Sequence, residues 1–154
     1  MRFHVLTIFP SVFPGPLGAG VVGRALEAGV IELQVHDLRN HTEDRRHQVD
    51  DAQFGGAPGM VLKPEPIVRA VRSLRDAEPE IRTVLMSPQG RRFDQEYARE
   101  LALEESLLIV CGRYQGVDER AREEIDEELS IGDYVLSGGE LAAMVVIEST
   151  ARLV

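Results

Sequence analysis

Four short apolar runs, separated by helix-like stretches, limit what this chain can fold into. His4-Val5-Leu6-Thr7-Ile8-Phe9 is stopped by Pro10, and Thr83-Val84-Leu85-Met86 is closed by Ser87-Pro88-Gln89-Gly90. Leu107-Leu108-Ile109-Val110 runs straight into Cys111-Gly112-Arg113-Tyr114, and Ile31-Glu32-Leu33-Gln34-Val35-His36 alternates as a half-buried strand does. Between them, Gly20 to Ala28 reads as a short helix ended by Gly29. Pro66 to Arg75 carries Ile67, Val68, Ala70, Val71 and Leu74 on one stripe with arginines opposite. Asp94 caps a helix through Leu103, Asp118 caps an acidic helix, and Glu140 to Val154 reads as a long final helix. Asn40 to Pro64 and Ser130 to Gly139 are loop-like. This alternation predicts an α/β fold, a mostly parallel sheet flanked by helices. In such sheets ligands sit outside the carboxyl ends of the strands.

A length of 154 residues with 44% apolar side chains suits one domain with a real core. No run of eighteen apolar residues and no signal-peptide pattern are present, so a soluble, cytoplasmic chain with no membrane contact is expected. A lone cysteine excludes an internal disulfide, and the histidines lack zinc-ligand spacing, so no metal site is assigned. The net charge of -9 is uneven: Val117 to Glu128 carries seven acids and two arginines. Such acidity speaks against a general nucleic-acid coat but leaves room for a local basic site. Sixteen of the seventeen basic residues are arginine, Lys63 being the exception. That fits phosphate and base recognition, and equally a genome rich in arginine codons.

Three glycine-bearing segments fit the strand-end rule: 87–90, 111–116 and 130–139. Their backbone amides and carbonyls suit a neutral or zwitterionic nucleoside better than a triphosphate. The dinucleotide fingerprint, the P-loop and the G-x-S-x-G elbow are all missing.

Cys111-Gly112-Arg113-Tyr114-Gln115-Gly116-Val117-Asp118-Glu119-Arg120 and the block from Ser130 to Glu140 (SIGDYVLSGGE) resemble the bacterial tRNA (guanine-N1)-methyltransferase family, TrmD. So do Phe9-Pro10, Val49-Asp50-Asp51 ahead of Gly55-Gly56-Ala57-Pro58-Gly59-Met60, and Ser87 through Arg91. The likeness covers essentially the whole chain. It implies a SPOUT fold whose α/β domain contains a deep trefoil knot, a topology that general connection rules disfavour. It further implies a homodimer with sites at the subunit interface, S-adenosylmethionine as cofactor, magnesium dependence, and tRNA as substrate, methylated on the guanosine immediately 3′ of the anticodon.

By position the resemblance assigns cofactor contacts to Ser87, Pro88, Gln89, Gly90, Gly112, Arg113, Tyr114, Gly116, Ile131, Gly132, Asp133, Tyr134, Val135, Leu136, Gly138 and Gly139. Ile131, Tyr134 and Leu136 would wall the adenine. Arg152 matches a catalytic arginine that steadies charge on the reacting guanine, and Asp50 falls in the substrate-facing loop. The basic loop 39–47, with Arg45 and Arg46, fits an RNA contact or a solvated loop. Guanine N1 becomes a good nucleophile only when its proton leaves, so a carboxylate base and a cation near O6 suit the chemistry. In the family that base lies in a linker beyond the last helix, ahead of a C-terminal tRNA-binding domain. Residues 1–154 thus correspond to the cofactor-binding domain alone, expected to be weak or inactive by itself. The unstopped apolar final helix fits a cut at a domain boundary and a dimer surface. Gln115 stands where the family has glutamate, Ala142 where proline is common and Ala57 where glycine is common. The competing reading is a non-catalytic S-adenosylmethionine-binding dimer module.

Overall fold

The computed structural model describes residues 1–154 as one five-stranded sheet with helices on both faces and a small hairpin at its side. The sheet comprises β1 (Arg2–Thr7), β2 (Glu32–Asp37), β5 (Arg82–Arg92), β6 (Ser106–Cys111) and β7 (Glu127–Ser130), in the order β2-β1-β6-β5-β7. Every pairing within it is parallel. Burial on both faces explains the near-continuous apolar runs: all six residues of β6 are buried. Phe3 and Val5 of β1 point to one face, where α1 (Pro14–Leu17), α2 (Gly20–Glu27), α4 (Gln95–Leu101) and α5 (Glu140–Ala151) supply the packing. Leu6 points to the other, against Ile67, Ala70 and Val71 of α3 (Pro64–Ala77). The stripe read for Pro66 to Arg75 is thus the buried face of α3, started two residues earlier by Pro64, whose fixed φ suits the first helical position.

Four local expectations are corrected. The Asn40 to Pro64 stretch contains an antiparallel hairpin, β3 (Asp50–Ala52) with β4 (Met60–Leu62), whose three-residue strands are too short to show periodicity. The acidic stretch is not a helix. Asp118 caps a 3-10 segment, Glu119–Glu124, and Glu127–Ser130 then joins the sheet edge. Its acids are tied to neighbouring arginines: Glu124 and Asp126 pair with Arg75, and Glu127 pairs with Arg82. Ser87-Pro88-Gln89-Gly90 does not end its strand; β5 bulges there and resumes pairing with β7 at Arg91. Finally, α5 ends at Ala151 with Arg152 as its cap, short of Val154. No helix is long and apolar enough to cross a membrane.

Candidate active site

The ends of β5 and β6 and the segment leading into α5 enclose a cavity of about 340 Å³. Gly112 follows β6 directly, and its carbonyl accepts from Gly139 N–H at 2.9 Å, tying the 112–116 loop to the start of α5. A backbone bridge between Arg113 and Gly138 extends the tie. Close approach is what the glycines permit. A Cβ on Gly138 would lie 2.5 Å from Glu140 Oε2, and one on Gly139 would meet the Cys111 Cα at 3.0 Å. The 112–116 loop turns through two left-handed residues, Tyr114 (φ 60°) and Gly116 (φ 121°). A non-glycine residue in that region marks a backbone held in place by its surroundings.

The opposite wall is the 131–137 loop. Ser130 Oγ donates to the Gly132 carbonyl at 2.9 Å and accepts from Gly132 N–H at 3.2 Å. This closes a tight turn that projects Tyr134, Val135 and Leu136 outward, with Tyr134 55% and Val135 82% exposed. Large apolar groups left open beside backbone donors and acceptors are the composition of a small-molecule site.

Of the residues assigned to the cofactor, Ser87, Pro88, Gly112, Arg113, Tyr114, Gly116, Ile131, Gly132, Tyr134, Val135, Leu136, Gly138 and Gly139 line this one cavity. Gln89, Gly90 and Asp133 are not among its lining residues. Gly90 lies in the bulge of β5 and packs tightly on β7, since a Cβ there would lie 2.5 Å from the Glu128 carbonyl oxygen. Asp133 is exposed, with Arg92 Nη1 4.0 Å away. Arg152 also lies outside the lining, exposed at the C-cap of α5. Asp50 sits in the β3–β4 hairpin opposite Leu62, and Arg45 and Arg46 are exposed in the preceding loop.

Sequence reasoning missed the support beneath the cavity. Glu140, in the first turn of α5, is only 2% exposed. Its Oε1 accepts from Thr7 Oγ1 at 2.8 Å and its Oε2 from Arg113 Nε at 2.9 Å. The Arg113 guanidinium also lies 4.5 Å over the Phe9 ring and reaches the Ser137 carbonyl at 3.4 Å. A glutamate beginning a helix normally reads as a solvated dipole partner, so nothing in sequence marks this one as buried. Behind the loop, burial and then the Glu140 charge push the Cys111 thiol well above its ordinary range, which leaves it an inert packing group. No group of three or more His, Cys, Asp or Glu side chains is arranged to hold a metal ion.

Comparison with known proteins adds to this geometry. A family model described as "tRNA (Guanine-1)-methyltransferase TrmD" matches residues 1–154. The tRNA (guanine-N(1)-)-methyltransferase of Syntrophotalea carbinolica is 51% identical over 154 residues, covering 100% of this chain and 62% of that protein. The Chloroflexus aggregans protein of the same name is 53% identical, with 100% and 61% covered. The chain therefore spans less than two thirds of the length of these curated relatives. The crystal structure of the tRNA (m1G37) methyltransferase from Aquifex aeolicus superimposes with a TM-score of 0.92 at 41% identity, covering 100% of this chain and 70% of that one. The chain belongs to the tRNA (guanine-1)-methyltransferase TrmD family.

Proposed function

We propose that residues 1–154 are the cofactor-binding and dimerisation domain of an S-adenosylmethionine-dependent tRNA (guanine-N1)-methyltransferase. It acts as a homodimer in the cytoplasm on the guanosine immediately 3′ of the anticodon. The observation that carries this reading is the convergence of three glycine loops on one cavity in a chain that matches the family throughout. The residues present suit the cofactor. Tyr134, Val135 and Leu136 offer an apolar wall to a nucleobase, while the backbone groups of 112–116 and 131–139 offer donors and acceptors to polar edges. The volume lies in the range of small-molecule sites, on the order of a few hundred Å³.

When bound, S-adenosylmethionine supplies an electrophilic methyl group. The chain's own part is positioning, which Gly112, Gly138 and the Arg113–Glu140–Thr7 chain perform by fixing one loop against the other. Arg152 would stabilise negative charge developing on the guanine O6 as the N1 proton leaves. Because it stands outside the cavity of its own chain, a partner subunit is the arrangement that would bring an Arg152 to a cavity. The donor set does not suit magnesium, since Gln115 carries no charge and its side chain is engaged with a backbone carbonyl. That the chain spans less than two thirds of its relatives' length also supports the related reading that it binds cofactor but turns tRNA over weakly or not at all.

Calorimetric titration with S-adenosylmethionine tests the proposal. Saturable binding by the 154-residue chain, weakened at least tenfold by Tyr134→Ala, is expected. A folded chain that takes up no cofactor would overturn it.

A further inference from the structure

The glycine-rich loop between β3 and β4 is fastened to the cavity rim by the side chain of Gln115. Gln115 lines the cavity, yet its Nε2 donates outward to the Pro58 carbonyl at 2.9 Å. Its backbone N–H donates to the Met60 carbonyl at 3.1 Å. The next residues continue alongside β4: Leu62 N–H donates to the Gly116 carbonyl at 3.0 Å, and Asp118 N–H to the Leu62 carbonyl at 3.1 Å. Backbone bonds thus hold Met60 and Leu62, while the amide of Gln115 alone reaches Pro58. Gly59, at φ 110°, makes room for it, since a Cβ there would sit 2.6 Å from Gln115 Cδ. Beyond this point the other side-chain contact is at the start of the loop, where the Arg120 guanidinium lies 5.5 Å over the Phe54 ring. Gly55 and Gly56 are both left-handed, and Phe54 at its start is 83% exposed.

We propose that Gln115 is a positioning residue whose side-chain amide clamps the 54–59 loop to the 112–116 loop at the mouth of the cavity. What the two loops hold, cofactor on one side and RNA on the other, rests on the function proposed above; the clamp itself does not. The donor is the essential part. A carboxylate at this position keeps the length and the acceptors but has no proton to offer a carbonyl, and its charge opposes the carbonyl dipole. A protonated carboxyl regains one donor, so a Gln115→Glu clamp is present below that carboxyl's pKa and lost as pH rises through it. Gln115 itself does not titrate, and its clamp is indifferent to pH.

Backbone amide NMR of the ligand-free chain tests this, with the β6 signals reporting that each variant is folded. In the native chain, residues 55–59 give relaxation typical of ordered backbone, with a cross-peak between the Gln115 side-chain amide and Gly59. Gln115→Ala is expected to raise the open population of the loop by about threefold to tenfold, the weight of one net hydrogen bond. Gly59→Ala is expected to do the same from the other side. Gln115→Glu should match Gln115→Ala at pH 8 and return toward the native spectrum at pH 4, a reversal that mere damage to packing would not produce. Equal order of the loop in all four proteins, or a Gln115→Glu spectrum that does not move with pH, overturns the proposal. Titration of the same samples with S-adenosylmethionine bears on the cofactor reading alone, so either idea can fail without the other.

Discussion

Arg113 Nε donates to Glu140 Oε2 at 2.9 Å, in a pair whose carboxylate is buried and whose guanidinium faces the cavity. The two residues are joined to β1 through Thr7, so the loop after β6, the start of α5 and the end of β1 form one unit. A buried charge is tolerated only when paired, and removing one partner leaves the other uncompensated. Arg113→Ala is therefore expected to cost about 3–5 kcal/mol in urea denaturation. Glu140→Gln keeps the shape and one good bond to each neighbour, and should cost about 1–2 kcal/mol. If Arg113→Ala were the milder of the two, the arginine would be a free ligand-facing cation rather than a strut.

Gly90 and Gly138 separate two uses of glycine. At Gly138 an added methyl meets the Arg113 and Glu140 side chains, which can shift at the expense of the strut. At Gly90 it meets the Glu128 and Leu129 backbone of β7, which cannot move without breaking the strand pairing. Gly90→Ala should therefore destabilise the fold by about 3 kcal/mol or more, the upper end of overpacking. Gly138→Ala should lose less stability but more cofactor affinity. Thermal melts with parallel cofactor titrations read both.

The parallel core strands were readable because burial on both faces writes an unbroken apolar run, as in Leu107 to Val110. β7 was not, because Glu127 and Glu128 carry no strand signal. They become a strand only by pairing with β5, and their charges are absorbed by Arg82, Arg91 and Arg122. The loops around the cavity could be named from the family resemblance, but the tight packing of Gly90 against β7 could not, because a motif does not distinguish a glycine packed on a neighbouring strand from one facing a ligand. The Thr7–Glu140 bond could not be read at all, since it joins residues 133 positions apart.

His4 and His36 give the fold a predictable acid limit. His4 is 1% exposed; its Nδ1 lies 3.0 Å from His36 Nε2, and its Nε2 lies 3.1 Å from Glu78 Oε1. One consistent assignment has His4 Nε2–H donate to Glu78 while Nδ1 accepts from His36. Burial lowers the pKa of His4, opposed by Glu78 and assisted by Arg2. Burial lowers that of His36 too, with the charges of His4 and His41 adding to it. A base whose pKa is lowered on folding binds more protons when unfolded, so stability falls as pH drops through the ordinary histidine value of about 6.5. The melting temperature should hold steady above about pH 7.5 and decline from about pH 7 to pH 5. A chain carrying both His4→Gln and His36→Gln should be less stable at pH 7.5 but flatter over that window. An equally steep decline in the double variant would assign the acid sensitivity to other groups.

Leu141 and Val145 lie one turn apart on α5 and are 63% and 42% exposed, whereas Ala142, Ala143, Val146 and Ile147 between and beside them are buried. The helix is thus apolar on both its inward and part of its outward side. An amphipathic surface helix would place polar residues there. The proposed homodimer gives this face a cover, and it would set Arg152, at the end of the same helix, beside the partner subunit. Burying a leucine contributes about 1.5–3 kcal/mol, and a two-fold interface uses each residue twice. Leu141→Asp with Val145→Asp should therefore raise the dimer dissociation constant on the order of a hundredfold or more, while leaving the folded chain intact because both side chains already face solvent. Sedimentation equilibrium at micromolar concentration reads the change directly. A native chain that sediments as a monomer, or a doubly substituted chain that remains a dimer, would move the interface away from α5 and with it the route by which Arg152 reaches a cavity.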